Sequence, residues 1–197
     1  MSKYLRAMVI LLLVASCGGG GGSGKAPRSL DNACSILEQR PTYYRAFKAA
    51  ERKYGVPVHV QMATIYQESK FISDARTPFR YTLGVIPMGR QSSAFGYSQA
   101  LDGTWKEYLD ATGNRRARRD NSRDATDGMG WDMKQSEQQL GIPMYDARNH
   151  YLAYHEGRTG YRRGSYNSKA WLLRVSAEVG QRALTYQQQL RTCRAAR

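Results

Sequence analysis

Only three histidines occur in this chain, His59, His150 and His155. No two of them fall four residues apart, the spacing that sets a pair of metal ligands on one helical face. Metal-assisted chemistry therefore has no obvious ligand set, and no cofactor is expected. A phosphate-cradling glycine loop and a dinucleotide fingerprint are absent too, because the glycine run after Cys17 precedes the folded body. No apolar run reaches the roughly 20 residues that cross a bilayer as a helix. No segment sustains period-two alternation, which argues against an all-β architecture, and no internal repeat or second domain is found. Acid is short as well: 16 Asp and Glu face 30 Lys and Arg, a formal net charge of +14. That excess calls for an anionic partner more than for an explanation in the fold.

The N-terminus speaks to the compartment. Lys3 and Arg6 form a positive region, Ala7 to Ala15 an apolar stretch, and Val14-Ala15-Ser16-Cys17 closes it, which is the architecture of a secretory signal over residues 1–16. Small residues ending in a cysteine resemble the lipobox of bacterial lipoproteins, whose cysteine is acylated and becomes the first residue of the mature chain. The resemblance implies a lipidated Cys17. Residue Gly18 stands where an Asp usually retains such proteins in the inner membrane, so the expected place is the outer membrane, facing the periplasm. Residues 17–30, glycine-rich at their start, read as the linker; the stretch Gly18 to Gly24 makes a flexible tether of roughly 15 Å.

Removal of Lys3 and Arg6 with the signal takes the formal charge from +14 to +12. Two cysteines then remain, Cys34 and Cys193. An even pair in an exported chain reads as a disulfide, with two buried thiols as the alternative. Residues 31–197 are of ordinary size for one domain. The run Arg115-Arg116-Ala117-Arg118-Arg119 has the look of a nucleic-acid patch, but an exported lipoprotein seldom meets DNA, and a solvated basic loop is the expectation.

Apolar spacing in the body is helical almost throughout. A helix is expected from Pro41 to Tyr54, with Tyr43, Phe47, Ala50 and Tyr54 on its stripe and Gly55 as its stop. A second begins near Pro57 and carries Val58, Met62, Ile65 and Ser69. Pro78, Gly84, Pro87 and Gly89 break the pattern from Ser73 to Ser93, where a loop or short hairpin is expected. Helical spacing resumes through Leu101, Trp105, Tyr108 and Leu109 to Gly113. Three further helices are expected behind caps at Asp124, Asp146 and Asn167, the first stopping at Gly141, the second at Gly157, and the last carrying Leu172, Val175, Val179, Ala183, Tyr186 and Leu190.

Glu68 sits within a turn of the second helix's apolar stripe, flanked by Met62, Ile65 and Phe71. A carboxyl partly buried among such groups keeps its proton near neutral pH. A glycosidic oxygen is a poor leaving group, and a positioned acid of this kind is the first requirement for cleaving it.

Three segments in order carry a resemblance: Glu68-Ser69 after Ala63-Thr64-Ile65, Gly96-Tyr97-Ser98-Gln99 followed by Thr104-Trp105, and Ala153-Tyr154-His155-Glu156-Gly157. Together they are similar to the family 1 lytic transglycosylases, SLT-like relatives of goose-type lysozyme. Their motifs read Glu-Ser at a helix end, Gly-Leu-Met-Gln, and Ala-Tyr-Asn-Ala-Gly. The likeness runs from about Phe47 to Tyr186, where a late-helix tyrosine completes the pattern. It implies a mainly α, lysozyme-like single domain acting on peptidoglycan, an anionic partner that suits the charge. Glu68 would then be the catalytic acid and base, with Ser69, Tyr97, Gln99, Tyr154, His155 and Tyr186 along the substrate groove. Protein partners stay unknown.

Two departures from the family pattern matter. Tyr97-Ser98 replaces Leu-Met and alters one wall of the groove. His155 and Glu156 replace Asn-Ala and add two titratable groups. Glu156 is either a solvated helix-end residue or a second carboxylate able to activate water, which would make a hydrolytic muramidase. A non-catalytic peptidoglycan-binding lipoprotein is the reading from a different class.

Overall fold

The structure is a computed structural model, and it describes residues 24–83 and 85–196. The expected signal, the lipidated Cys17 and the first half of the linker, residues 17–23, lie outside the described residues. Helix α1, Ala33–Gln39, is capped by Asn32, whose carboxamide accepts from the Ser35 N–H at 3.0 Å. Helix α2, Pro41–Tyr54, opens on a proline whose missing N–H no helix needs there. It closes on Gly55 at φ +84°, in the left-handed region that favours glycine. Helix α3, Val58–Ser69, buries Val58, Val60, Met62, Ala63 and Ile65 together with Gln61 and Thr64. A helix covered on nearly every side is the central element of its domain, and α3 packs on α2, α5, α6 and α7. The Gln61 side-chain nitrogen donates to the carbonyls of Phe47 and Val56 at 3.0 and 2.7 Å, while its buried Oε1 has no partner among the described residues.

The expected break at residues 73–93 is a two-stranded antiparallel hairpin, β1 (Phe79–Thr82) with β2 (Ile86–Arg90), in which Phe79 faces Arg90, Tyr81 faces Pro87 and Thr82 faces Ile86. Helix α4, Asp102–Thr112, follows and ends at Gly113. Helix α5, Ser122–Leu140, is capped by Asn121 rather than Asp124: the Asn121 oxygen accepts from the N–H groups of Arg123 and Asp124. Asp124, already inside the first turn, accepts from the Arg118 N–H at 2.9 Å instead. Two glycines inside α5 are there for close packing. A Cβ on Gly128 would stand 2.6 Å from the Trp105 ring and one on Gly130 2.7 Å from Tyr54, so their loss of helix propensity, about 1 kcal/mol each, is offset by helix–helix contact.

Helix α6, Ala147–Arg162, starts on Asp146 as expected, and it breaks at Gly157, whose φ of 71° and ψ of 158° are not helical. The expected stop there is thus a kink, after which helical turns resume. Helix α7, Ala170–Thr192, begins after a short 3-10 turn, Ser165–Ser168. Asn167 lies within that turn, and Lys169 holds the cap position. The Arg115–Arg119 run is less free than a solvated loop. Arg118 pairs with Asp120 at 2.7 Å, while Arg119 bonds Asp102 and the carbonyls of Ser93 and Ala100.

Cys34 and Cys193 form a disulfide, with Cα atoms 5.4 Å apart, that ties α1 to the end of α7 across 159 residues. Closing a loop of that length stabilises the fold by about 5 kcal/mol in the chain-entropy model. Cys193→Ser is expected to lower stability by about 2–5 kcal/mol in denaturant titration, and reduction of the parent should reproduce the loss; an unchanged midpoint would refute the role.

Candidate active site

The chain turns sharply just beyond Glu68. Lys70 and Phe71 both adopt positive φ, 51° and 63°, so α3 ends within two residues of the carboxylate and Phe71 folds back into the core. Burial pushes the Glu68 carboxyl up to about 7, and a hydrogen bond from Tyr151 and the charge of Lys70 pull it only part of the way back. Tyr151 and Tyr154 are one turn apart on α6 and share a face. Burial raises both phenols, and the Glu68 charge raises them further. The acid thus looks onto two tyrosines that stay protonated as donors.

The Tyr154 hydroxyl donates to the Ser98 carbonyl at 2.7 Å, which fastens α6 to the turn Gly96–Gln99. Gln99 sits at φ +51°. Its Nε2 donates to the carbonyls of Ala75 and Gly96 at 2.9 and 2.8 Å. The side-chain nitrogen is thereby committed to the turn, and Oε1 remains as acceptor. A cavity of about 400 Å³ is lined by Gln99, Tyr154, Glu107, Asp132, Glu156 and Arg158 among others. Glu68 and Tyr151 do not line it; the three sequence segments meet through α6, whose Tyr151 bonds the Glu68 acid of α3 and whose Tyr154 bonds the 96–99 turn.

The profile of the transglycosylase SLT domain matches residues 5–193, nearly the whole chain. The chain belongs to that family. No curated protein matches it. Membership in the SLT family supports a lytic-transglycosylase type of function on peptidoglycan, and the observed helices are those of its lysozyme-like fold.

Several residues expected along the groove of this SLT domain do other work. The Ser69 hydroxyl donates to the Ile65 carbonyl at 3.3 Å, within its own helix, and is not spent on orienting Glu68. Tyr97 is core: its ring meets Tyr43 edge-on, and the two hydroxyls are 3.1 Å apart. Tyr186 is fully buried, its hydroxyl on the Leu30 carbonyl, where it pins the segment before α1 to α7. It is a structural tyrosine, and its electrostatic neighbours are Arg182, Tyr66 and Asp31, not Glu68. His155 is exposed, edge-on to Trp171 at 5.1 Å, and its Nδ1 lies 3.0 Å from Glu156.

Glu156 is neither solvated nor free. Its side chain is 4% exposed. Hydrogen bonds from Lys169 at 2.6 Å and from Ser165, with His155 alongside, hold its carboxyl down to about 2. Such a group is ionised, saturated and a weak base.

Tyr151, which bonds Glu68, is not among the residues the family resemblance implies, although its place one turn before Tyr154 is a signal in the sequence. A buried charge cluster has no signal in the sequence. Asp132 is 7% exposed and paired with Arg158 at 2.6 Å, and Arg158 reaches Glu107 at 3.2 Å. Burial raises the Asp132 carboxyl and Arg158 opposes the shift. A larger cavity, about 790 Å³, lies between α2 and the start of α5 and is lined by Arg40, Arg45, Arg52 and Arg123; unlike the smaller one it does not reach Tyr154, and Glu68 lines neither. Volume alone would misplace the chemistry, so the convergence of the acid and its donors decides the site.

Proposed function

We propose that this SLT domain is a lytic transglycosylase that cleaves the β-1,4 bond between N-acetylmuramic acid and N-acetylglucosamine without water, with Glu68 as its single acid and base. The observation that carries the reading is the meeting of the three segments, Glu68 at the end of α3 against Tyr151 of α6 and Tyr154 of α6 on the Ser98 carbonyl, with burial pushing the Glu68 carboxyl up to about 7. Near neutral pH such a group is protonated in a large fraction of molecules, yet its conjugate base is strong enough to take a proton back. Glu68 gives its proton to the glycosidic oxygen as the bond to C1 of the muramoyl residue breaks. The muramoyl 6-hydroxyl then attacks C1 and returns a proton to Glu68, leaving a 1,6-anhydro ring. Tyr151 can donate towards the carboxylate form and steady it between the two transfers, while the Tyr154 hydroxyl stays on the Ser98 carbonyl.

A hydrolytic muramidase needs a second carboxylate to activate water. Glu156 is tied to Lys169 and Ser165, and Asp132 to Arg158, which disfavours both as that base. A protein that only binds glycan has no use for an acid whose burial costs stability. The lipidated Cys17, the tether and the outer-membrane, periplasm-facing location belong to this proposal and rest on the N-terminal sequence alone.

Digestion of purified sacculi followed by mass spectrometry of the muropeptides tests the reaction. Anhydro-muramoyl ends are expected; reducing ends, heavier by one water, would make the enzyme a hydrolase. The pH profile tests the acid. With Glu68 required in its protonated form, kcat/KM is expected to fall as pH rises through about 7. A rate that holds level up to pH 9 would remove Glu68 from the role.

A further inference from the structure

Among the described residues, six of the ten exposed large hydrophobics lie on the β1–β2 hairpin or its tip: Phe79, Tyr81, Leu83, Val85, Ile86 and Met88. Every residue of both strands is exposed, and the strands pack chiefly on each other. A patch of this kind marks an interaction surface.

The arrangement says what kind. Cross-strand partners share a face, so Tyr81 lies with Pro87 on one side and Thr82 with Ile86 on the other. Apolar groups occupy both faces of the ribbon. A protein groove covers one face, whereas a fluid apolar medium surrounds both. Composition is also graded along the ribbon. Leu83, Val85 and Ile86 form an aliphatic tip, while Phe79, Arg80, Tyr81 and Arg90 stand nearer the base, with the Arg90 guanidinium 4.4 Å over the Phe79 ring. Aromatic and basic residues behind an aliphatic tip match the headgroup and upper acyl layers of a bilayer. The whole segment 75–101 carries Arg76, Arg80 and Arg90 and no acid, which suits an anionic lipid surface.

The chain's N-terminal path fits the same partner. Gly24 lies so close to the Asp74 carboxylate that a Cβ there would collide with it. The described chain therefore starts beside the root of the hairpin. From Cys17 to Gly24 the backbone spans at most about 25 Å, so an acyl anchor on Cys17 would tether the hairpin's side of the domain to the bilayer.

We propose that the β1–β2 hairpin docks this domain on an anionic lipid surface by seating its Leu83–Val85–Ile86 tip at the headgroup–acyl boundary. Unpaired strand edges limit the insertion to that shallow zone, because backbone groups without partners are not tolerated deeper. The hairpin's root is joined to the candidate site: Ala75 accepts from the Gly96 N–H at 3.0 Å and from Gln99 Nε2 at 2.9 Å. Docking would thus set the height and direction of the cleft relative to the membrane. The inference is independent of Glu68 and of whether glycan is cleaved.

The test uses the full chain carrying Cys17→Ser, which removes acylation and leaves residues 1–16 common to parent and variants. Co-sedimentation is measured with vesicles of phosphatidylethanolamine and phosphatidylglycerol, and with phosphatidylcholine alone. Leu83→Ser with Ile86→Ser is expected to weaken binding to the anionic vesicles by about tenfold or more, and the parent is expected to bind phosphatidylcholine less well. In a second measurement, V85C labelled with a polarity-sensitive dye should shift to the blue on adding anionic vesicles. Equal binding by the double variant, or a dye that ignores vesicles, overturns the proposal. So does a shift produced by sacculi or by raising protein concentration without lipid, outcomes that give the hairpin to glycan or to a second copy of the chain.

Discussion

Glu68→Gln is expected to lower release of muropeptides from sacculi by about a thousandfold, within the range for loss of a positioned general acid, while making the protein more stable above neutral pH. The first effect follows because the amide has no proton of suitable acidity to give and the other carboxylates of the site are held in ion pairs. The second follows from linkage. Burial raises Glu68 from its ordinary 4.5 to about 7. Below pH 4.5 the group is protonated in both folded and unfolded chains and costs nothing. Between those values the unfolded chain ionises while the folded one resists, so stability falls as pH rises, and above about 7 the full cost persists. The shift corresponds to about 3 kcal/mol, which we reduce to about 2 because Glu68 is partly accessible. Glutamine removes the charge and with it the cost. Thermal melting at pH 8 and pH 4 measures this: the variant should gain at pH 8 and match the parent at pH 4. A variant that still digests sacculi, or that loses stability at pH 8, contradicts the assignment of Glu68 as a half-buried acid that resists ionisation.

What the amino-acid sequence revealed, and what it hid, divides along physical lines. Pro41 and Gly55 bounded α2 because a helix's two ends demand different backbone chemistry there, and the glycines and prolines at 78–89 announced a hairpin by forbidding a helix. Asn121 was passed over for Asp124 because both residues can cap and only the preceding turn decides between them. Helix α1 went unseen because its seven residues are too few for periodicity, and its place depends on the distant Cys193 and on Gln189, whose Oε1 accepts from the Ala33 N–H at 2.7 Å. The tyrosines show a deeper limit. Helical spacing tells which face is buried, not whether that face looks into a cleft or into the core. Tyr154 and Tyr186 were equivalent on that basis, yet one meets the acid's surroundings and the other holds Leu30. Neither reading of Glu156, a solvated helix end or a free second carboxylate, matches its place, since Lys169 and Ser165 reach it only across the kink at Gly157 and the 3-10 turn beyond.

Gly96→Ala carries the largest expected effect on the fold around the site. Gly96 sits at φ +79°, in the left-handed region that costs an L-residue about 1 kcal/mol or more. A Cβ there would also overlap the Arg119 carbonyl. That obstacle is backbone, so no rotamer change relieves it. Nor is the 118–121 segment free to withdraw: the same carbonyl accepts from the Tyr97 N–H at 3.1 Å, and the Arg119 guanidinium is bonded to the carbonyl of Ala100 at 2.7 Å. Relief would have to come from the 96–99 turn, which would pull Ser98 from Tyr154 and Gln99 from Ala75. The combined cost is expected to be about 3 kcal/mol or more, a fall of roughly 10 °C in melting temperature for a domain of this size, with muropeptide release reduced along with it. Gly103→Ala is the control, since nothing lies within 4 Å of a Cβ on that exposed helical glycine; it should stabilise by about 0.5–1 kcal/mol. A Gly96→Ala protein that melts with the parent and digests sacculi at the parental rate would show that the close approach of the 96–99 turn to Arg119 does not hold the site together.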